Sequence, residues 1–372
     1  MSDNQGDGRS LFGRLFGAEP PRGPVPEAGR TDHAEAGLPQ WWVDRDDVPH
    51  ARTWMSWPSR KSVWGRQLAG VQQDIALIAR TIARFEPVVM CAPDGYSVQE
   101  ARSACGPAVT VTDAVPTDDL WMRDTAPVFR RDGRGRLDAV GLNFNGWGNK
   151  QTHRDDAEVA RGIAEMLRLP FSYAEFVGEG GSVETDGDGT LLATESSLVN
   201  KNRNRGMSRD EIEEAVLEVY GADRMIWVPG IKGKDITDDH IDVTSRFVRP
   251  GVVLVQLPPA DRSDVWARDA REQFDILSRA TDARGRRLQV IRVDGPDTVR
   301  SRDPKFVDSY LNFHVVNGAV IAAQFGDSRA DAAAKAKLQS LFPGRVVEQL
   351  NIDYIGLGGG GIHCVTQPQP VP

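Results

Sequence analysis

The chain has 372 residues, with 45 Lys and Arg against 53 Asp and Glu, a formal net charge of −8, 40% hydrophobic and 26% charged residues. Such a balance describes a globular protein long enough for a substantial core, and it offers nucleic acid no basic face. No apolar run approaches the ~20 residues of a membrane span, while an acidic protein favours a cationic ligand.

Residues 1–37 are polar and rich in Gly, Pro and Arg and read as a disordered tail. Its apolar piece, Leu11-Phe12-Gly13-Arg14-Leu15-Phe16, is too short for a signal-peptide core. Residues 38–368 then read as a single domain. The three cysteines, Cys91, Cys105 and Cys364, show no C-x-x-C spacing. Neither a disulfide framework nor a zinc site is expected, and the compartment is expected to be the reducing cytoplasm.

From Thr53 on, one arrangement of elements recurs. Thr53 to Trp57 reads as a strand closed by Pro58, and Leu68, Val71, Ile75, Ile78 and Ile82 give helical spacing over 67–85. A strand over 87–91, a helix over 97–104 and a strand over 108–112 follow; Cys91 and Cys105 fall in this part and read as packing. Strands over 126–130 and 137–143 flank the hairpin signal Asp132-Gly133, with a helix over 156–167 and a strand over 171–176 behind them. Next come strands over 181–185 and 190–194, a helix opened by the capping box of Ser208 and Glu211, and a strand over 225–228. The same order returns over 241–248, 252–257, 263–280 and 288–293, and again over 310–316, 319–325, 329–341 and 346–349. About five hairpin–helix–strand units point to an α/β pseudo-symmetric repeat, whereas a doubly wound sheet would need fewer hairpins. In a wheel of repeats the hairpin ends converge near the axis, so residues far apart in sequence can meet there.

Four stretches carry candidate chemistry. Cys364 follows the run Gly358-Gly359-Gly360-Gly361, where backbone can pass close to a ligand; Val365-Thr366 is expected to carry the thiol out of the core. Asp124 stands between Trp121 and Pro127, and Glu179 precedes two glycines. His240-Ile241-Asp242 is an H-x-D that on an extended strand would point both side chains to one face. Taken singly, each has an ordinary explanation: a buried cysteine, a turn cap, a surface charge, a satisfied histidine. Half of a metal site is a further reading of the H-x-D, but no second histidine cluster accompanies it. His153 lies in a polar loop and His314 in an apolar strand. As a set they suit one task. Carboxylates accept a guanidinium's N–H fork edge-on, a thiolate approaches its flat carbon, and a histidine moves protons.

Eight blocks, in order from about Trp41 to Gln367, give this set a family likeness: Thr53-Trp54-Met55-Ser56-Trp57-Pro58, Trp121-Met122-Arg123-Asp124-Thr125-Ala126-Pro127, Asn143-Phe144-Asn145-Gly146-Trp147-Gly148, Glu179-Gly180-Gly181-Ser182, Asn200-Lys201-Asn202-Arg203-Asn204, Thr237-Asp238-Asp239-His240-Ile241-Asp242, Ser309-Tyr310-Leu311-Asn312-Phe313 and Gly359-Gly360-Gly361-Ile362-His363-Cys364-Val365-Thr366-Gln367. The chain resembles the agmatine deiminase family, which also holds the bacterial-type peptidylarginine deiminases. The resemblance implies the pentein fold, a five-bladed α/β propeller of ββαβ modules, in agreement with the unit count. It implies Cys364 as a nucleophile forming an amidino-thioether, His240 as general acid and base, and Asp124 and Asp242 as the guanidinium clamp. Glu179 would orient His240 or contact substrate, and Trp121 would wall the pocket. No metal or organic cofactor is implied. The expected partner is a small cationic guanidino substrate, with no nucleic acid and no membrane, and a homo-oligomer is left open.

Four positions depart from the agmatine-type pattern: Gly361 replaces Asn, Asp239 replaces Gly, Glu184 replaces His and Val243 replaces Asn. They are expected to shape the loops that read the far end of the substrate, with Gly361 at the pocket. Agmatine leads as substrate. Deimination of peptidyl or free arginine, amidino transfer to an amine, a catalytically silent guanidinium-binding protein and a cysteine hydrolase of amide bonds are the alternatives, separated by ammonia release from each substrate.

Overall fold

The computed structural model describes residues 41–372. The segment 1–37, with Leu11–Phe16, lies outside the described residues. Among them, sixteen strands form five small separate sheets: β1 (His50–Ser56), β2 (Val88–Cys91), β3 (Val109–Thr112), β4 (Val128–Arg131), β5 (Leu137–Gly141), β6 (Phe171–Tyr173), β7 (Val183–Thr185), β8 (Thr190–Thr194), β9 (Arg224–Val228), β10 (Ser245–Arg249), β11 (Val252–Leu257), β12 (Gln289–Asp294), β13 (His314–Val316), β14 (Ala319–Ala323), β15 (Val346–Leu350) and β16 (Gln367–Pro370).

Four sheets share one plan: an antiparallel hairpin, a helix, and a third strand laid parallel to the second, as in β4-β5-β6. The helices Val159–Leu167, Arg209–Tyr220, Val265–Arg279 and Ser328–Leu341 make the crossovers. Three of them start on a side chain that accepts a backbone N–H of the first turn: Ser208 in a full capping box, Asp264 and Asp327. The remaining sheet runs β16-β1-β2-β3. Here β16 pairs antiparallel with β1, so the end of the chain supplies the first strand of the first blade. Pro368 and Pro370 are tolerated because β16 is an edge strand, where alternate positions need no ladder donor. The architecture is the five-bladed pentein arrangement.

Helix Leu68–Ile82 buries Val71, Ile75, Ile78 and Ile82 completely against the largest apolar cluster. Each such side chain is worth roughly 1.5–3 kcal/mol of burial. The first strands of all five blades meet around an axial cavity lined by Val128, Thr185, Phe247, Val315 and Pro368.

In several units the strands start later than the sequence pattern predicts. Residues 122–125, 180–182 and 241–244 form single helical turns ahead of β4, β7 and β10, and the residues before β13 are irregular. The expected extended H-x-D is therefore corrected. Asp238 and Asp239 adopt left-handed φ values of 63° and 72°, His240 caps a one-turn helix Ile241–Thr244, and the strand begins only at Ser245. The expectation that Val365-Thr366 carries the thiol outward also fails. Val365 and Thr366 are fully buried, and Cys364 is 9% exposed within the main core cluster.

Candidate active site

Each late-starting strand, and β16, is preceded by one or two of the side chains that make up the site. Asp124 precedes β4, Glu179 precedes β7, His240 and Asp242 precede β10, Asn312 precedes β13 and Cys364 precedes β16. Hydrogen bonds join them into a ring around the axis. Gly181 N–H donates to Asp124 Oδ1 at 3.1 Å, and His240 Nε2 lies 3.3 Å from Glu179 Oε2. Asn312 Nδ2 donates to the Asp242 carbonyl at 3.4 Å and faces Cys364 Sγ at 3.2 Å. Arg123 N–H donates to the Cys364 carbonyl at 3.0 Å and closes the ring. Pseudo-symmetry thus turns residues spread over some two-thirds of the chain into one cluster.

Glycines make the close approach possible. A Cβ on Gly360 would collide with the Trp121 ring, and one on Gly358 with Trp64. A Cβ on Gly181 would stand 2.7 Å from His240 Nδ1. Trp121 and Trp64 lie 6.1 Å apart, centroid to centroid, beneath the final glycine run.

The electrostatics divide the acids by environment. Glu179 and Arg203 are both fully buried at the side chain, with Arg203 Nε 2.8 and 3.0 Å from the two carboxylate oxygens. Burial pushes the Glu179 carboxyl up, but Arg203 and His240 outweigh it and hold it below the usual range. Burial also raises Asp124, to about 6, with Glu179 and Asp242 adding to the effect of burial. Trp147 Nε1 donates to Asp124 Oδ2 at 2.9 Å. His240 lies between Glu179 and Asp124, 3.7 Å from the latter's Oδ1. Burial opposes its charge, yet the two carboxylates raise it to about 9, so the ring is an imidazolium at neutral pH.

Asp242 serves several neighbours. Its Oδ2 accepts from His363 Nδ1 at 2.7 Å and stands 3.6 Å from Cys364 Sγ. Burial pushes this carboxyl up, and His363 more than offsets that. Its Oδ1 is buried with no hydrogen-bond partner. An ionised carboxylate with one free oxygen beside a thiol is an acceptor awaiting a donor. Burial, then Asp242 and Asp124, push the Cys364 thiol well above its ordinary value, so it is a thiol in the free protein.

All seven sequence-predicted site residues are placed within or against this cluster, Trp121 and Gly361 through the glycine run. Sequence reasoning gave no role to Trp147, Arg203, Asn312 or His363, although each lies in a quoted block. Three of the departures are held by contacts with neighbouring segments. Glu184 pairs with Arg246 and accepts from Phe247 N–H beneath the ring, and Asp239 accepts from Ile231 N–H at 2.9 Å. Val243 offers its carbonyl to Ser309. Of the four, Gly361 packs against Asn312, and Val243 N–H donates to the His240 carbonyl at 3.4 Å.

Known proteins resemble this chain over most of its length. The family described as Porphyromonas-type peptidyl-arginine deiminase matches residues 43–370. A putative agmatine deiminase of Streptomyces coelicolor is 39% identical over 347 residues, covering 89% of this chain and 98% of its own length. The agmatine deiminase of Stutzerimonas stutzeri is 39% identical over 357 residues, covering 89% and 96%. Among solved structures, the agmatine deiminase of Enterococcus faecalis superposes with a TM-score of 0.84 at 27% identity, over 92% of this chain and all (100%) of that one.

Proposed function

The chain belongs to the Porphyromonas-type peptidyl-arginine deiminase family, and from that premise we propose that it hydrolyses agmatine to N-carbamoylputrescine and ammonia. Relatives named agmatine deiminase, alike over nearly their whole length, support this choice of guanidino substrate. The observation that carries the chemistry is the pairing of Cys364 Sγ with Asp242, whose second oxygen is buried and unpartnered. A guanidinium entering between Asp242 and Asp124 supplies the missing donors and a positive charge. That charge opposes the two carboxylates and lowers the thiol, so substrate binding itself favours the thiolate.

As the cation binds, the thiol proton is released to solvent, and in the first step the thiolate Sγ attacks the guanidinium carbon. A C–S bond forms, a C–N bond breaks, and the leaving nitrogen takes a proton from the His240 imidazolium and departs as ammonia. Now neutral, His240 takes a proton from water, the water oxygen bonds to carbon, and the C–S bond breaks with the electron pair returning to sulfur. Glu179, held ionised by Arg203, keeps His240 oriented and supports its charged form. Trp121 and Gly361 shape the wall against which the thiol stands.

The test is ammonia release from agmatine, free arginine and a blocked arginine peptide, with Cys364→Ala as control. Ammonia from agmatine that vanishes in the variant is expected. Ammonia from the peptide alone would displace agmatine, silence on all three would favour a binding protein, and an active Cys364→Ala would remove the mechanism.

A further inference from the structure

Cys364 is gripped by a side chain that the sequence pattern left without a role. Asn312 is buried just ahead of β13. Its amide meets the cysteine twice: Oδ1 accepts from the Cys364 backbone N–H at 3.2 Å, and Nδ2 stands 3.2 Å from Sγ. The first contact settles the second. A backbone N–H can only donate, so the atom facing it is the amide oxygen, and the NH2 group is thereby turned to sulfur. Two further bonds fix the residue: Nδ2 donates to the Asp242 carbonyl at 3.4 Å, and the Asn312 carbonyl accepts from His363 N–H at 3.1 Å.

Room for this arrangement comes from Gly361. A Cβ there would stand 2.6 Å from Asn312 Oδ1 and 2.9 Å from Asn312 Cβ. Gly361 is not among the positive-φ glycines, so space and not backbone conformation sets the requirement. The chemistry of the contact is directional. A neutral thiol accepts a hydrogen bond weakly and a thiolate strongly, so an N–H fixed on sulfur favours the anion. Asp242 and Asp124 act the other way, and Asn312 with the Gly361 N–H offsets part of their effect.

We propose that Asn312 is the hydrogen-bond donor that holds Cys364 Sγ in its attacking orientation and stabilises it as a thiolate. The proposal rests on Cys364 being the nucleophile. The donor acts twice in the cycle: before the C–S bond forms, and again when that bond breaks and sulfur recovers its electron pair. Between those moments the thioether sulfur is neutral and the contact is weak. Asn312 therefore raises the ionised fraction of Cys364 before attack, lowers the barrier to C–S cleavage from the covalent intermediate, and leaves the affinity for substrate nearly unchanged.

The experiment uses Asn312→Leu, which keeps much of the volume and removes the donor without adding charge, and Asn312→Ala. Iodoacetamide labelling of Cys364 is followed against pH by mass spectrometry of its peptide, with the buried Cys91 and Cys105 as internal controls, alongside steady-state kinetics on agmatine. The expected results are a labelling midpoint moved to higher pH by about one unit, a kcat lower by about ten- to a hundredfold, and a KM within about threefold of wild type. A folded variant with wild-type midpoint and kcat overturns the proposal. Should neither variant fold, the unsubstituted protein labelled with 15N-asparagine still decides: the Asn312 NH2 resonance must move through the pH range in which Cys364 titrates, and one that does not move overturns it. An active Cys364→Ala would instead remove the nucleophile on which all this depends, a result distinguishable from unaffected Asn312 variants beside a dead Cys364→Ala.

Discussion

Asp242 Oδ2 stands 3.6 Å from Cys364 Sγ and accepts a 2.7 Å hydrogen bond from His363, while its Oδ1 has no partner. This carboxylate therefore hinders the thiolate in the empty site, and under the proposed function it holds the substrate in the filled one. Asp242→Asn should separate the two effects. Iodoacetamide should label Cys364 of the variant at lower pH than wild type, since a charge that raises the thiol is gone. At the same time kcat/KM on agmatine should fall by about a hundredfold or more, as a charge-assisted pair to the guanidinium is lost. Labelling that is unchanged together with full activity would count against the clamp.

The pH dependence of kcat/KM should be bell-shaped. Because Cys364 is a thiol in the free protein, activity already declines as pH falls; Asp124, raised to about 6, must also be ionised to receive the cation, so the decline steepens as pH drops through about 6. His240, raised to about 9, must be protonated to release ammonia, so activity falls again above about 9. Initial rates from pH 5 to 10 at low agmatine would show whether both limbs exist.

Trp147→Phe should move only the acid limb. The indole N–H donates to Asp124 Oδ2 and holds that carboxyl down against burial. Its removal should carry the limb to higher pH and leave the alkaline limb in place. A profile superimposable on wild type would show that the indole serves packing alone.

Arg203→Met should destabilise strongly, because Glu179 would remain as a fully buried carboxylate with its main counter-charge gone. The expected cost is about 3–5 kcal/mol in urea unfolding. Adding Glu179→Leu should recover much of that stability without activity, since the charge left unpaired is then absent. Losses that simply add in the double variant would argue that the pair is not coupled.

Beneath the ring, Glu184 is raised from 4.5 to about 7, chiefly by burial. A carboxyl whose folded value is raised contributes stability below its unfolded value, and that contribution is lost as pH climbs through the folded one. Stability should therefore decline between about pH 4.5 and 7 by up to about 3 kcal/mol from this group. Glu184→Gln should flatten the decline in thermal unfolding followed across that window. An unchanged slope would assign the decline to other groups.

The blades were legible because their signals are local: Leu68, Val71, Ile75, Ile78 and Ile82 at helical spacing, the Asp132-Gly133 turn, and the Ser208–Glu211 box. The single turns ahead of β4, β7 and β10 were not, since their conformation is imposed by bonds across the ring, such as Gly181 N–H to Asp124. A strand pattern that begins at Ile241 says nothing of the left-handed pair Asp238 and Asp239 that turns His240 inward. The residues that support the site were missed for a similar reason. Asn312 and Arg203 are polar in sequence and look like loop residues. Only the partners brought by other blades, the Cys364 thiol and the Glu179 carboxylate, explain their burial. The strand β16 escaped because Gln367-Pro368-Gln369-Pro370 carries no β signature of its own and exists through its pairing with β1.

That pairing has a consequence for where the thiol stands. The thiol sits three residues ahead of the strand that joins the last blade to the first. The register His50–Pro370 to Trp54–Gln367 fixes where β16 lies, and with it the turn that carries the sulfur. The position of the Cys364 thiol thus depends on a strand pairing that joins segments more than three hundred residues apart.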